Sequence, residues 1–455
     1  MKPRALLLML ILALAGGVVW KGLAKRHRRA ALAPAAATTA LTESMAHPGH
    51  PDGAETIIEA LRSDLTVHRK LILLFADEAN LQGPARDAAM STGHQLHHER
   101  VDLVGQLDDA LTVLTAQPAA QRDPVVSAVL DWMERDPEVF ELDRLAFRDP
   151  LRVLQHGLAQ DGSPEGTMLK TRIVHDLAEV DRIEGLVESE YRQVFGGPGH
   201  PAQGGERKRW NDYVKALKSL YPEVGAGSPS SVPPAPSQEA RREINGQAFP
   251  EKVLVLSFDD GPHRVYTEEI KAILQHYQAP AVFFEVGRNI GAVEASGAVK
   301  LTPLSALTED LVKSGYIVGN HSYTHALLSK ETGKPLDTEI GETDSVLRAI
   351  PGAHSQLFRF PYGARTGVQM QALEPYHLRS VLWNIDSLDW ADPVPSSVAD
   401  RVIRAVSEEK RGIILFHDIH DRAGKVLPAL VERLQSEGYR FAGLDGNGEL
   451  VLPSR

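Results

Sequence analysis

The sequence predicts an α/β protein in which a distorted (β/α) barrel follows an all-α helical bundle and an N-terminal membrane anchor. Three observations predict this: an apolar run near the N-terminus, helical apolar periodicity up to residue 221, and strand–helix alternation from residue 250. The expected segments are 1–29 (signal anchor or signal peptide with a basic flank), 30–51 (linker), 52–221 (helical domain), 222–249 (Pro/Ser-rich linker) and 250–455 (α/β domain).

Composition narrows the classes of protein and of site. A chain of 455 residues has room for two or three domains of about 150 residues each. The formal net charge of -11 argues against a nucleic-acid partner, because phosphate binding needs a basic surface. The chain has no cysteine, which excludes disulfides and thiolate ligands. A metal site would therefore use histidine and carboxylate side chains.

The N-terminal apolar run predicts a membrane segment. Lys2 and Arg4 precede the uncharged stretch Ala5–Trp20, which is somewhat shorter than the roughly 20 residues that span a bilayer. Trp20 suits a membrane interface, so we favour an uncleaved signal anchor, with a cleaved signal peptide as the alternative. The basic residues that follow conflict with a simple positive-inside orientation; they are Lys21, Lys25, Arg26, Arg28 and Arg29.

Residues 52–221 carry the pattern of a helical bundle. Asp52 and Glu55 have the spacing of a capping box, and apolar residues then recur at helical spacing from Ile58 to Phe75. Further helical stretches are Gln95–Leu114, Val125–Met133 and Met168–Phe195, with breaks expected at Gly83-Pro84, Gln117-Pro118, Asp149-Pro150 and Gly197-Pro198. We interpret the cluster His94, His97, His98 and Glu99 as a polar helix face rather than a second metal site.

Short apolar strands alternate with helices in the last 206 residues, which is typical of a parallel sheet covered by helices. The expected strands are Val253–Phe258, Ala281–Val286, Tyr316–Gly319, Arg379–Ile385, Gly412–Phe416 and Tyr439–Ala442. The expected helices are Thr267–Tyr277, Thr308–Ser314, Asp337–Ala349 and Pro395–Val406.

Polar motifs follow several of these strands. They are Asp259–Pro262, Asn320–His325, Arg359–Gly363, Asp386–Trp390 and His417-Asp418. Each motif alone is weak: Asp-Asp-Gly-Pro is a good turn, and an i, i+4 histidine pair is usually a surface pair. Together they point to an active site, because the carboxyl ends of barrel strands build one.

In this order, the motifs resemble those of the polysaccharide deacetylase family, also called the NodB-homology domain or carbohydrate esterase family 4. The resemblance runs from about Pro250 to the C-terminus. It implies one divalent metal, with zinc expected and cobalt or nickel as alternatives. It implies that the metal ligands are Asp260, His321 and His325.

The resemblance also implies the remaining site residues. The catalytic set is Asp259 as general base, Arg359 orienting it, His417 as general acid and Asp386 orienting that acid, with Asp389 the less favoured candidate for the last role. Substrate and oxyanion contacts are expected from Pro361, the backbone N–H of Tyr362, Trp390 and Leu415.

The expected activity is removal of N-acetyl groups from N-acetylglucosamine in peptidoglycan or a related envelope glycan. Chitin oligomers, poly-N-acetylglucosamine and acetylated xylan stay open as substrates. A non-catalytic glycan-binding protein is the competing class, and the presence of every catalytic residue argues against it. Such a substrate places the domain in the cell envelope outside the cytoplasmic membrane, either anchored by the N-terminal segment or secreted. The helical domain and its partner have no assigned role.

Overall fold

The structure is a computed structural model, and it describes residues 52–76, 83–196, 201–224 and 243–452. These residues form two compact units. The helical unit comprises the described residues up to Arg69 together with His98–Ile183. The α/β unit comprises Lys70–His97 and the described residues from Glu184 onward. The chain therefore does not divide at the predicted boundary of residue 221, because parts of several long helices belong to the α/β unit.

The region before residue 221 is helical, as predicted. Its helices are α1 (Asp52–Phe75), α2 (Gly83–Thr115), α3 (Ala119–Arg135), α4 (Arg148–Gly157), α5 (Pro164–Phe195) and α6 (Lys208–Leu220). The break expected at Asp149-Pro150 falls beside a helix boundary, because a 3-10 helix ends at Phe147 and α4 begins at Arg148, with Pro150 in its first turn. A helix tolerates proline there, since the first backbone N–H groups have no partner within the helix.

Apolar periodicity builds the core of the helical unit. Leu61, Leu111, Leu130, Leu154 and Ile173 come from different helices and are at most 1% exposed. Burying each such side chain contributes roughly 1.5–3 kcal/mol of transfer free energy. The apolar residues whose spacing predicts these helices are therefore also the residues that form the core between them.

The α/β unit is built on a curled parallel sheet. Its strands are β1 (Val253–Asp259), β2 (Ala281–Glu285), β3 (Gly291–Val293), β4 (Val299–Leu301), β5 (Ile317–Asn320), β6 (Leu357–Phe358), β7 (Arg379–Ser380), β8 (Ile385–Asp386), β9 (Gly412–His417), β10 (Arg440–Leu444) and β11 (Leu450–Val451). β1 lies at the centre and pairs in parallel with β2, β9 and β10. Every residue of β1 and β9 is buried, as expected for a sheet covered on both faces.

The sheet curls without closing into a full barrel. Parallel pairing runs from β8 through β9, β1, β2, β5 and β6 to β7, and within the described chain no strand pairing joins β7 to β8. The predicted single strand Arg379–Ile385 is thus wrong: two short strands replace it. The Arg359 side chain donates to the carbonyls of Val381 and Leu382, which removes these groups from a continuous ladder. The α/β class is confirmed, with an open half-barrel.

Helices cover the sheet. They are α7 (Tyr266–His276), α8 (Gly287–Ile290), α9 (Ser305–Lys313), α10 (Gly333–Ala349), α11 (Gly367–Ala372), α12 (Pro395–Glu409) and α13 (Asp421–Ser436). The sequence did not predict α13, which contains Gly424 and Pro428. Its apolar side chains nevertheless join the main core, where Leu427, Leu430 and Val431 are fully buried.

The α/β unit extends further toward the N-terminus than the predicted start at residue 250. Ile244 forms a parallel bridge with Val381, and Phe249 is buried in the core. Among the helices of the described ranges, none is long and apolar enough to cross a membrane. The predicted anchor at 1–29 and the tether at 30–51 lie outside the described residues.

Candidate active site

The site lies at the carboxyl ends of the parallel strands. β1 ends at Asp259, β5 at Asn320 and β9 at His417. Pairing of β1 with β9 sets Asp259 directly opposite His417. Since all these strands run the same way, the polar residues after them meet at one edge of the sheet.

Asp260, His321 and His325 converge on one point, as the sequence suggested. Oδ1 of Asp260 lies 3.4 Å from Nε2 of His321 and 3.1 Å from Nε2 of His325. Ligands about 2 Å from a tetrahedral zinc ion are themselves roughly 3.3 Å apart, so these separations fit such an ion. All three residues are at most 3% exposed.

The tautomers of the two histidines also fit a metal. Nδ1 of His321 lies 2.8 Å from the carbonyl of Arg359, which can only accept a hydrogen bond. A neutral His321 must therefore carry its proton on Nδ1 and present a lone pair at Nε2 toward Asp260. Neither carboxylate oxygen of the buried Asp260 makes a hydrogen bond within the described chain. A cation would bind the lone pairs of Asp260, His321 and His325, which otherwise face one another.

His325 is held from its far side by Tyr362. The Tyr362 hydroxyl lies 2.5 Å from Nδ1 of His325 and donates to the carbonyl of the same residue at 3.1 Å. Because the hydroxyl proton goes to that carbonyl, the hydroxyl oxygen accepts a hydrogen bond from Nδ1–H of His325, and Nε2 presents its lone pair toward Asp260. Burial would raise the pKa of Asp260, but the adjacent His325 and His321 hold it well below its usual range.

Two of the three candidate ligands and two residues next to them sit on strained backbone. Asp260, Ser322, His325 and Tyr362 have positive φ angles of 77°, 65°, 63° and 61°, in the left-handed region that non-glycine residues rarely adopt. The Glu339 carboxylate accepts hydrogen bonds from the backbone N–H groups of residues 323 and 324, which fixes the loop between the two histidines. Strain concentrated on ligand loops is typical of a functional site.

Asp259 and Arg359 form a buried ion pair next to this cluster. Nη1 of Arg359 donates to Oδ1 of Asp259 at 2.6 Å, while Oδ2 of Asp259 lies 3.6 Å from Nε2 of His321. Arg359 is fully buried, and its other donors reach Ser257 and backbone carbonyls. One oxygen of Asp259 is thus fixed by the arginine, and the other points toward the cluster.

The partner of His417 is Asp389, and the predicted pairing with Asp386 is wrong. Oδ1 of Asp389 lies 2.8 Å from Nδ1 of His417, and Oδ2 accepts the backbone N–H of His417 at 2.9 Å. Asp386 instead accepts the backbone N–H of Leu388, whose φ of 54° turns the chain back. Because of that turn, the carboxylate that reaches His417 of β9 is that of Asp389 and not that of Asp386 at the end of β8.

Electrostatics keep His417 protonated. Burial would lower its pKa, but the paired Asp389, with Asp260 and Asp259 nearby, raises the pKa of His417 to about 10. The pKa of Asp389 is correspondingly held below its usual range despite burial, because His417 and His420 are close. Burial raises the pKa of Asp386.

The predicted substrate residues line the same edge. Pro361 and Tyr362 follow β6 in a single 3-10 turn, and Leu415 lies in β9, 2% exposed. Trp390 is also 2% exposed. Its indole packs against Phe75 at 5.3 Å, His94 at 5.4 Å and His97 at 5.1 Å, measured between ring centroids.

These contacts come from a segment of α1 and α2 that we call the helical arm, comprising Lys70–Phe75 and Gly83–His97. The interpretation of its histidines as a polar helix face is wrong for His94 and His97. Nε2 of His97 lies 3.4 Å from Oδ2 of Asp260, and burial lowers the pKa of His97 to about 4. His98 is partly exposed, 4.0 Å from Asp102. The one sequence feature that favours burial of this helix face is the i, i+3 spacing of His94 and His97 next to the small residue Gly93.

Fold and site together define an α/β protein with a buried histidine–carboxylate cluster that could hold a metal ion. A carboxylate–arginine pair and a histidine–carboxylate pair flank this cluster. A family model described as polysaccharide deacetylase matches residues 246–381. A peptidoglycan-N-acetylglucosamine deacetylase of Bacillus cereus is 31% identical over 219 residues, which are 45% of this chain and 73% of the relative. The chain belongs to the polysaccharide deacetylase family, which confirms the predicted resemblance.

Other relatives match over shorter shares of their length. The peptidoglycan-N-acetylmuramic acid deacetylase PdaC of Bacillus subtilis is 30% identical over 42% of this chain and 38% of the relative. The chain thus spans less than half the length of that relative. A crystal structure of the Bc1960 peptidoglycan N-acetylglucosamine deacetylase superposes with a TM-score of 0.39 and 23% identity, covering 45% of this chain and 91% of that chain.

Proposed function

We propose that this protein is a metal-dependent hydrolase that removes N-acetyl groups from a polysaccharide. The proposal rests on one observation: Asp260, His321 and His325 converge between the Asp259–Arg359 pair and the His417–Asp389 pair. A carboxylate that accepts a proton and an imidazolium that donates one flank the same point. Hydrolysis of an acetamide requires both groups, because water must lose a proton and the amine must gain one.

Asp260, His321 and His325 would hold a divalent ion, for which zinc is our choice from the ligand set. When bound, the ion polarises the acetyl carbonyl and lowers the pKa of water from about 16 toward about 7. Asp259 accepts the proton of the attacking water, and Arg359 keeps that carboxylate ionised and aimed. The backbone N–H of Tyr362 donates to the developing oxyanion, a contribution of roughly 3–4 kcal/mol in comparable sites.

His417 completes the reaction. As a new C–O bond forms and the C–N bond breaks, the protonated imidazole donates its Nε2 proton to the leaving nitrogen. Asp389 orients the ring and stabilises its charge. The products are acetate and a free amine on the sugar, with no covalent intermediate on the chain. Trp390 and Leu415 would enclose the acetyl methyl group, and Pro361 would border the sugar.

The substrate we propose is N-acetylglucosamine of peptidoglycan or a related envelope glycan. The names of the B. cereus and B. subtilis relatives support this choice, as does the apolar N-terminal run. We place the catalytic region outside the cytoplasmic membrane, with residues 1–29 as anchor or signal peptide. Residues 52–221 stay a proposed helical domain without an assigned partner.

The test is acetate release from acetylated glycans, measured with and without a chelator. The panel contains peptidoglycan, chitin oligomers, poly-N-acetylglucosamine and acetylated xylan. We expect D260A and H321A to abolish metal binding and acetate release. H175A is the matched control, because the His175 side chain is 81% exposed. Undiminished activity of D260A would refute the proposal, and release from xylan alone would change the substrate from amide to ester.

A further inference from the structure

The helical arm delivers a buried histidine that the proposed reaction does not use. The His97 side chain is 7% exposed, and neither ring nitrogen makes a hydrogen bond within the described chain. Burying a polar group without a partner is costly, on the order of 1–3 kcal/mol. Buried polar groups are nearly always hydrogen-bonded, so an imidazole in this state is suited to bind an ion.

The surroundings of His97 define that partner. Its Nε2 lies 3.4 Å from Oδ2 of Asp260, and Nε2 of His417 lies 4.0 Å from the same oxygen. The ring centroids of His97 and His417 are 5.2 Å apart. One ligand atom from each of these three buried residues lies within 4.8 Å of the other two. Two imidazole nitrogens and a carboxylate oxygen are a ligand set suited to zinc.

The two oxygens of Asp260 face different sides. Oδ1 is the oxygen near His321 and His325, whereas Oδ2 is the oxygen near His97 and His417. A carboxylate placed between two pairs of histidines can bind one ion through each oxygen. Paired metal ions in hydrolytic sites are typically about 3.5–4 Å apart, a spacing that a bridging carboxylate permits.

We propose that His97, Asp260 and His417 form a second divalent metal site, with Asp260 bridging it to the first. Nε2 of both histidines and Oδ2 of Asp260 are the ligand atoms. The helical arm supplies His97, so this site exists only in a chain that carries the arm. Binding at the site joins the arm to the strand ends through a metal.

The second ion inhibits the activity proposed above, and this consequence rests on that proposed function. A lone pair on Nε2 of His417 that binds a metal cannot also carry the proton for the leaving nitrogen. Low metal concentrations therefore activate the enzyme through the first site, and higher concentrations inhibit it through the second. Zinc above one equivalent therefore acts as an inhibitor by occupying Nε2 of His417.

The experiment is a zinc titration of the full chain after metal removal, in competition with a chromophoric chelator. We expect the wild type to bind one more equivalent than H97Q. H98Q is the matched control, since His98 lies on the same helix and is partly exposed; it should bind as many equivalents as the wild type. H417Q removes a different ligand of the same site and should also lose one equivalent. Equal stoichiometry in wild type, H97Q and H417Q would overturn the proposal.

A second readout links the site to the reaction. The initial rate of acetate release, measured against zinc concentration, should rise and then fall for the wild type and H98Q. For H97Q it should rise without the later fall. Inhibition that is unchanged in H97Q contradicts the assignment. The stoichiometry decides the metal site even if the chain releases no acetate, so failure of the site and failure of the proposed function give different results.

Discussion

His417 and Asp389 are joined twice, through the imidazole Nδ1 at 2.8 Å and through the backbone N–H at 2.9 Å. Both contacts go to the same carboxylate, so the ring and its strand are positioned together. Few rotations of either side chain would preserve both hydrogen bonds. This pair therefore sets the direction in which Nε2 of His417 points and keeps that nitrogen protonated.

Replacing this carboxylate tests the corrected pairing. In D389N the pKa of His417 should fall from its raised value of about 10, because the main attraction on the imidazolium is lost. A general acid works only while protonated, so the basic limb of kcat/KM should move to lower pH. The rate should drop by about 10²-fold or more. D386N is the control, and its basic limb should stay in place. A larger shift in D386N than in D389N would restore the original pairing.

Tyr362 should tune metal affinity through His325. The variant Y362F removes the hydroxyl that lies 2.5 Å from Nδ1 of His325. Loss of such an outer partner typically weakens metal binding about 10–100-fold. The measurement is the zinc dissociation constant from chelator competition. Y376F provides the comparison, because the Tyr376 hydroxyl donates to a carbonyl of α10. Equal affinities in the two variants would rule out this role for Tyr362.

Glu285 should make the α/β unit less stable as pH rises. Burial raises the pKa of this side chain from 4.5 to about 8, although Thr308 donates a hydrogen bond to it. Between these values the unfolded chain releases the proton and the folded chain keeps it, so stability falls as pH rises through this window. The loss is at most about 1.4 kcal/mol per pH unit.

Urea unfolding of wild type and E285Q from pH 4 to pH 9 measures this effect, with the pH range chosen to bracket the window. The difference in unfolding free energy between the two proteins should change between pH 4.5 and about 8 and level off above it. Parallel pH curves would show that Glu285 does not titrate in this way.

Gly93 should be required for packing of the helical arm. A Cβ there would lie 2.7 Å from the ring of Phe75 and 2.9 Å from that of Trp390. We expect G93A to lose roughly 1–3 kcal/mol of stability through overpacking. Gly105 lies in the same helix with nothing within 4 Å of its Cβ position, so G105A should gain about 0.5–1 kcal/mol. Thermal unfolding compares the two, and stabilisation of both would place the arm away from Trp390.

The sequence predicted much of the site because strand ends are readable from apolar runs. Asp260 and His321 each follow an apolar strand, and a parallel sheet aligns the ends of its strands. Their convergence can therefore be predicted from the positions of the strands alone. The prediction for Asp386 is wrong because the left-handed Leu388 reverses the chain before Asp389, and no glycine in the sequence marks this turn. The prediction for His97 is wrong because the residues it approaches lie far along the chain, where helical periodicity gives no information.

The open edge of the sheet has a similar explanation. A run from Arg379 to Ile385 has the composition of one strand, yet the guanidinium of Arg359 occupies the carbonyls in its middle. Competition between a side chain and the backbone ladder is a tertiary effect. The composition of residues 379–385 alone therefore does not predict that the strand is interrupted.

The central position of β1 has a consequence for synthesis of the protein on the ribosome. Two of the three neighbours of this strand, β9 and β10, are translated long after it. Until residues 412–444 have been synthesised, β1 lacks these two partner strands, and His321 and His325 are present without His417. The candidate site therefore cannot be complete until the last part of the chain has been made, and the apolar β1 is prone to aggregation before then.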